Sequence, residues 1–383
     1  MDSPASPADL AGLASQIDAL VEGGVERRVF PGAVWAVGGP DGLTAHGAAG
    51  LLDPGDTSRP MRPDTLFDLA SLTKIIAVWA AVGTLWEADR VDLDDPLAKH
   101  LPDALGFPLG TVTLRQFLTH TSGVPLRANL RASYGTDPEA VRLGVLREAM
   151  HRPAGEAVEY TDRSALILGF LVEQLMDRRL DAVARDVAWE PLGMSATRYG
   201  PLSASLAEQC APTEFDEEAG THVRGSVHDY SGRLLGVCGI SGVFSNAVDL
   251  GRFLQYMLNP EAGVRAGAGV GVSAGVGAGA GAGAGVGAGV GAGPAFGRRW
   301  IRESLRLHTG DLQPERGLFW HTVPGMSTAE DVWTHYGFTG TAMWVSPMRD
   351  RWAVLLTNKL YYSRDRGPIT TVRNGFRRLV FGD

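Results

Sequence analysis

The chain has 383 residues, 44% of them hydrophobic and 20% charged, with a formal net charge of -8. This is globular composition, long enough for one large or two ordinary domains. The acidic balance and the lack of a basic stripe disfavour a nucleic-acid binder, and two cysteines, Cys210 and Cys238, are too few for a disulfide framework or a cysteine-built metal site.

The chain begins with a helix signal. Ser6-Pro7-Ala8-Asp9 reads as N-cap, proline at N1 and acid at N3, and Leu10, Leu13, Ile17 and Leu20 share a face. No basic and apolar leader precedes it, so a cytoplasmic protein is expected. Gly32–Val37 and Leu43–Ala48 are predicted strands, turned by the glycine- and proline-containing segment between them.

Phe67-Asp68-Leu69-Ala70-Ser71-Leu72-Thr73-Lys74 then opens an apolar run that is too short to span a membrane. In a helix, Ser71 and Lys74 would lie on one face, hydroxyl beside amine, near free backbone N–H groups at the helix start. A nucleophile needs both a base and a place for a developing oxyanion. The chain has only three lysines, Lys74, Lys99 and Lys359, which makes the Ser-x-x-Lys spacing informative. A capped helix with an exposed lysine is the plainer alternative.

Helices and loops are predicted up to about residue 260. Val112–Gly123 fits a short helix ending in a polar turn, Ser164–Met176 a buried helix, and Asn246 a cap with Asp249 at N3. Val158-Glu159-Tyr160-Thr161-Asp162 directly precedes the buried helix and can aim a phenol into a cleft, or simply cap the helix with Asp162. Residues 266–293 are glycine, alanine and valine plus Ser273, read as a low-complexity surface insertion. Trp333–Val345 and Trp352–Thr357 are predicted strands, and Pro368 begins a final helix. Glycines within Thr334–Thr341 suggest that a substrate approaches the backbone there.

The order Ser71-Leu72-Thr73-Lys74, Tyr160-Thr161-Asp162, His335-Tyr336-Gly337 resembles the serine β-lactamase-related superfamily, in its class C β-lactamase, DD-peptidase and family VIII carboxylesterase branch. Leu118–Gly123, Gly239–Ser245 and Gly337–Thr341, followed by Trp344 and Pro347, are similar to further segments of that family. The resemblance implies an α/β fold of α+β type: an antiparallel sheet flanked by helices, built from both chain ends (1–75 and 294–383), with a mainly helical part (76–260) inserted. It implies that Ser71 is the acylating nucleophile and that Lys74 and Tyr160 move its proton. It also places the oxyanion hole at the backbone N–H groups of Ser71 and Phe338, with Asp162, His335 and Gly337 binding substrate. Asp162 stands where the family often has asparagine or serine, and is expected to hold Lys74 charged.

The third motif usually begins with lysine, which helps hold a substrate carboxylate. His335 is only partly charged near neutral pH, which favours an ester over a β-lactam. The expectation is a serine hydrolase of small esters or amides, without metal, cofactor, nucleic-acid or membrane partner. A β-lactamase or D-amino-acid peptidase is the alternative within the fold, and a catalytically silent ligand binder the alternative outside it.

Overall fold

The computed structural model describes residues 7–126, 129–261, 294–323 and 331–382. The Gly/Ala tract 266–293 lies outside them.

A seven-stranded antiparallel sheet carries the fold. Its strands are β1 (Gly32–Gly39), β2 (Gly42–Asp53), β3 (Asp56–Pro60), β4 (His321–Thr322), β5 (Trp333–Tyr336), β6 (Ala342–Ser346) and β7 (Arg351–Thr357). The order across the sheet is β3-β2-β1-β7-β6-β5-β4, so the two chain ends meet where β1 pairs with β7. Side chains alternate along these strands, and both faces are covered. Trp352, Val354 and Leu356 enter one core with Val34 and Ala36; Ala353 and Leu355 enter the other with Ala33, Trp35 and Val37.

The second core is closed by the terminal helices α1 (Pro7–Glu26) and α2 (Gly367–Phe381), through Ile17 and Val21 on one and Ile369, Val372, Phe376 and Val380 on the other. The first core is closed by the chain following Ser71 and by the inserted helices. Trp79 lies at its centre against Phe253, Phe296, Trp300 and Trp320.

Two expectations are corrected. Trp333–Val345 is not one strand: it breaks at Gly337–Thr341 into the hairpin β5–β6. Gly340 has φ +113°, a conformation open chiefly to glycine, and it turns the chain there. The segment after Ser71 is helical but not one α-helix; Ala70–Leu72 forms a 3-10 turn, Lys74–Trp79 a π-helical stretch, and only Ala80–Glu87 is α. Such wide turns are frequent at functional sites.

Candidate active site

Ser71 follows a strained residue. Ala70 has φ +49°, in the left-handed region that costs a non-glycine residue about 1 kcal/mol or more. The turn is held from several sides. The Asp68 carboxylate accepts the Ala70 N–H at 2.9 Å, Leu69 N–H donates to Val243 O at 2.9 Å, and Thr339 and Thr341 hydroxyls donate to Asp68 O and Leu69 O at 2.7 and 3.0 Å. The hairpin turn carrying Phe338 is thereby bolted to the turn carrying Ser71.

Gly337 is explained by the same bolt. A Cβ there would meet Thr341 Oγ1 at 2.0 Å and Leu69 O at 2.5 Å. The close approach expected of a substrate is made by the protein's own Ser71 turn. Arg373 of α2 then clamps the hairpin by donating to Gly337 O and Thr341 O at 2.8 and 2.7 Å.

Lys74 is fully buried, and its Nζ donates to Ser71 Oγ at 3.0 Å and Ile240 O at 2.8 Å. Asp162 Oδ1 lies 2.8 Å from the same nitrogen, its side chain half exposed to the cleft. Burial alone would lower the Lys74 amine, but the charge of Asp162 and the Tyr160 phenol, and their hydrogen bonds, hold it above its ordinary value. The three N–H groups of an ammonium match the three acceptors Ser71, Ile240 and Asp162. Asp162 is delivered by the first turn of the helix Asp162–Met176, whose N-cap is Thr161, with its hydroxyl accepting from Arg163 N–H; the capping role considered for Asp162 falls to its neighbour.

Tyr160 is 41% exposed, the wettest ring of the cluster. Lys74 Nζ lies 5.5 Å from its ring centre and the Arg316 guanidinium 5.7 Å, while the His120 ring packs at 4.6 Å.

His335 stands 6.3 Å from Tyr160, ring centre to ring centre, and is 1% exposed. Burial, then the charges of His321, Lys74 and Arg316, push its imidazole well below the ordinary range. The expected partial charge is therefore corrected: His335 is neutral at pH 7. Both its ring nitrogens lack a hydrogen-bond partner among the described residues. A second cation beside Tyr160 is Arg316, which the sequence reading missed. It is 7% exposed, with Nε and Nη1 unpartnered among the described residues, and burial brings it down to about 10.

A second pair was also missed. The buried His228 ring Nδ1 and backbone N–H both lie 2.9 Å from Asp68 Oδ2. Burial would raise the carboxyl and lower the imidazole, but each partner outweighs it for the other: Asp68 is held below its ordinary value and His228 above. The only sequence signal was Asp68 beside the Ser71 motif.

The structure thus brings Ser71, Lys74, Tyr160 and Asp162 into one partly exposed cluster, with His335 buried 6.3 Å from the Tyr160 ring and Phe338 half-buried on the turn bolted to Ser71. Such a cluster can support acyl transfer: a hydroxyl held by an ammonium, a phenol beside it, and two backbone turns locked together. Among the described residues, no group of histidine, cysteine or carboxylate side chains is arranged to hold a metal, and no helix is long and apolar enough to cross a membrane.

Known proteins resemble the chain in sequence and fold. The chain is 31% identical over 223 residues to the "Putative D-alanyl-D-alanine carboxypeptidase" of Escherichia coli strain K12, covering 51% of each chain; it spans about half the length of that relative. Its fold is that of EstCE1, a hydrolase with promiscuous acyltransferase activity, at TM-score 0.70 and 17% identity over 98% of this chain and 100% of that one. It is also that of a class C β-lactamase from Rhodobacter sphaeroides, at TM-score 0.68 and 19% identity over 94% and 98%. The Beta-lactamase family model matches residues 17–374, nearly the whole chain, and the protein belongs to that family of serine hydrolases.

Proposed function

We propose that the protein hydrolyses carboxylic esters through an acyl-enzyme on Ser71. The observation that carries the reading is the Lys74 ammonium, donating to Ser71 Oγ at 3.0 Å while Asp162 and Ile240 O hold it. An ammonium has no lone pair, so Lys74 orients Ser71 and stabilises charge, and Tyr160, acting as the phenolate beside that ammonium, is the group left to take the serine proton and become the phenol. Ser71 Oγ attacks the acyl carbon, and the carbonyl oxygen gathers charge between the N–H groups of Ser71 and Phe338. The proton held by Tyr160 then passes to the leaving alkoxide. Water repeats the sequence to release the acid.

A neutral His335 offers no point charge to a substrate carboxylate, which supports neutral esters. The test is a fluorophosphonate label read by mass spectrometry. An adduct on Ser71, lost in Ser71→Ala together with at least about 10³-fold of ester turnover, is expected. An adduct on another serine, or none, overturns the reading.

One observation favours a second reading, a D-alanyl carboxypeptidase. Arg316 is a buried cation with unpartnered N–H groups beside Tyr160, placed to meet a terminal carboxylate. Comparing p-nitrophenyl esters, a chromogenic cephalosporin and D-alanyl peptides decides between them. Under the carboxypeptidase reading Arg316→Gln raises KM for the peptide alone; under the ester reading the peptide is not turned over at all.

A further inference from the structure

Asp68 and His228 lie outside the proton-moving cluster, yet they touch both walls of the cleft. Asp68 Oδ1 accepts the N–H of Ala70, the residue that sets the direction of the Ser71 N–H and holds a left-handed φ of +49°. Asp68 Oδ2 accepts both the backbone N–H and the ring Nδ1 of His228. The same imidazole stacks with Phe338, ring centres 6.0 Å apart and planes 26° apart. The backbone oxygen of Asp68 takes the hydroxyl of Thr339, the next residue after Phe338. One buried carboxylate residue therefore reaches the Ser71 turn through one oxygen, and the Phe338 turn through a stacked ring and through its own carbonyl.

A second set of groups presses on Phe338 from outside. Lys359 Nζ and the Arg364 and Arg366 guanidinium groups stand 4.9, 5.1 and 5.0 Å from its ring centre. Arg364 is tied to Glu214, whose charge, with those of Asp68 and Asp229, also bears on His228. The ring of Phe338 is thus fixed between an imidazole on one side and cations around it.

We propose that Asp68 and His228 are the positioning residues of the oxyanion hole, setting the separation and aim of the Ser71 and Phe338 N–H groups. The proposal rests on the acyl-enzyme reading above. It asks that the two residues act on the transition state and leave ground-state binding alone, because a hydrogen bond to the developing oxyanion depends on placement within a fraction of an ångström. Both side chains are almost wholly covered.

The test compares wild type with Asp68→Asn and His228→Asn. Asp68→Asn keeps an acceptor for Ala70 and places an amide against the His228 donors. His228→Asn keeps a short donor toward Asp68 and removes the stacked ring. Turnover of p-nitrophenyl butyrate, affinity for phenylboronic acid (whose tetrahedral adduct places an oxygen in the hole) and melting temperature are measured for each. We expect kcat to fall about 10²-fold, the loss typical of one misplaced oxyanion donor, with KM within about twofold and boronate affinity falling in step with kcat/KM. A variant that melts earlier but keeps kcat and boronate affinity shows a merely structural pair and overturns the proposal. So does a rise in KM at constant kcat. A wild-type enzyme that neither turns over ester nor binds the boronate fells the acyl-enzyme reading, and this proposal with it.

Discussion

Two hydrogen-bonded pairs of titratable side chains flank Ser71, and they are built differently. Lys74–Asp162 opens on the cleft, since the Asp162 side chain is half exposed and Tyr160 stands beside it in solvent. Asp68–His228 is sealed, with both side chains almost wholly covered. A pair in contact with the cleft can exchange protons with substrate and water, and its charge is felt by the reacting atoms. A sealed pair does not face the reacting atoms; what it can do is hold two pieces of backbone at a fixed separation. Buried charge is expensive and earns little stability. Its presence on both sides of one serine, in two different forms, assigns chemistry to the open pair and geometry to the closed one.

The largest effect tests the open side. Lys74→Ala and Tyr160→Phe should each lose on the order of 10³-fold in kcat, and the double variant should be little worse than the worse single one, because groups that act as a unit are not additive. Steady-state kinetics on one ester decides it. Fully additive losses would mean that the two groups do separate work, and the division between the two pairs would have to be redrawn.

This open half was legible in the sequence because its geometry is local. Ser71 and Lys74 are three residues apart on a helical turn, and Tyr160 and Asp162 flank one helix start. The sheet was legible in part: β1, β2 and β7 stand out between turn signals, but β5 and β6 were read as one strand and the short edge strands β3 and β4 went unread. The closed half was not. His228 meets Asp68 across 160 residues, and Thr339 and Thr341 reach the Ser71 turn across 271 and 272. No spacing rule links such positions. His335 was misjudged for the same reason: its position in the motif was visible, but its charge is set by burial and by His321, Lys74 and Arg316, which only folding assembles.

A smaller effect concerns that neutral floor of the cleft. His120, His321 and His335 are all pushed below the ordinary histidine value of 6.5, burial being the first cause for each. Below pH 6.5 the unfolded chain therefore binds protons that the folded chain refuses, and stability falls as pH falls. Each such histidine steepens that fall by up to about 1.4 kcal/mol per pH unit. His335→Asn, neutral at every pH, should flatten the acid limb by one proton's worth in denaturant unfolding between pH 6.5 and 4.5. An unchanged slope would mean that His335 is charged in the folded protein. The sealed pair gives the opposite sign at the other end. His228 is raised by Asp68, so its contribution is complete below 6.5 and is lost as pH rises through its folded value. The stability gap between wild type and His228→Asn should narrow on the alkaline side.

The smallest effect probes the strained residue that the sealed pair restrains. Ala70 holds φ +49° with its N–H donated to Asp68. Glycine adopts this conformation without the steric penalty of a Cβ, but it gives the unfolded chain more freedom, so the two terms of roughly 0.5–1 kcal/mol each nearly cancel. Ala70→Gly alone should then change stability by less than about 1 kcal/mol. The informative quantity is its coupling to Asp68. In wild type, Asp68→Asn weakens a hydrogen bond that keeps a reluctant residue in place; in an Ala70→Gly background the residue stays there more readily. The cost of Asp68→Asn should therefore be smaller by about 0.5–1 kcal/mol in the glycine background, a coupling typical of groups in direct contact. Urea unfolding of the four proteins of the cycle measures it. Additive costs would mean that the turn is held by Val243, Thr339 and Thr341 without help from the carboxylate, and the sealed pair would lose its hold on the Ser71 side of the cleft.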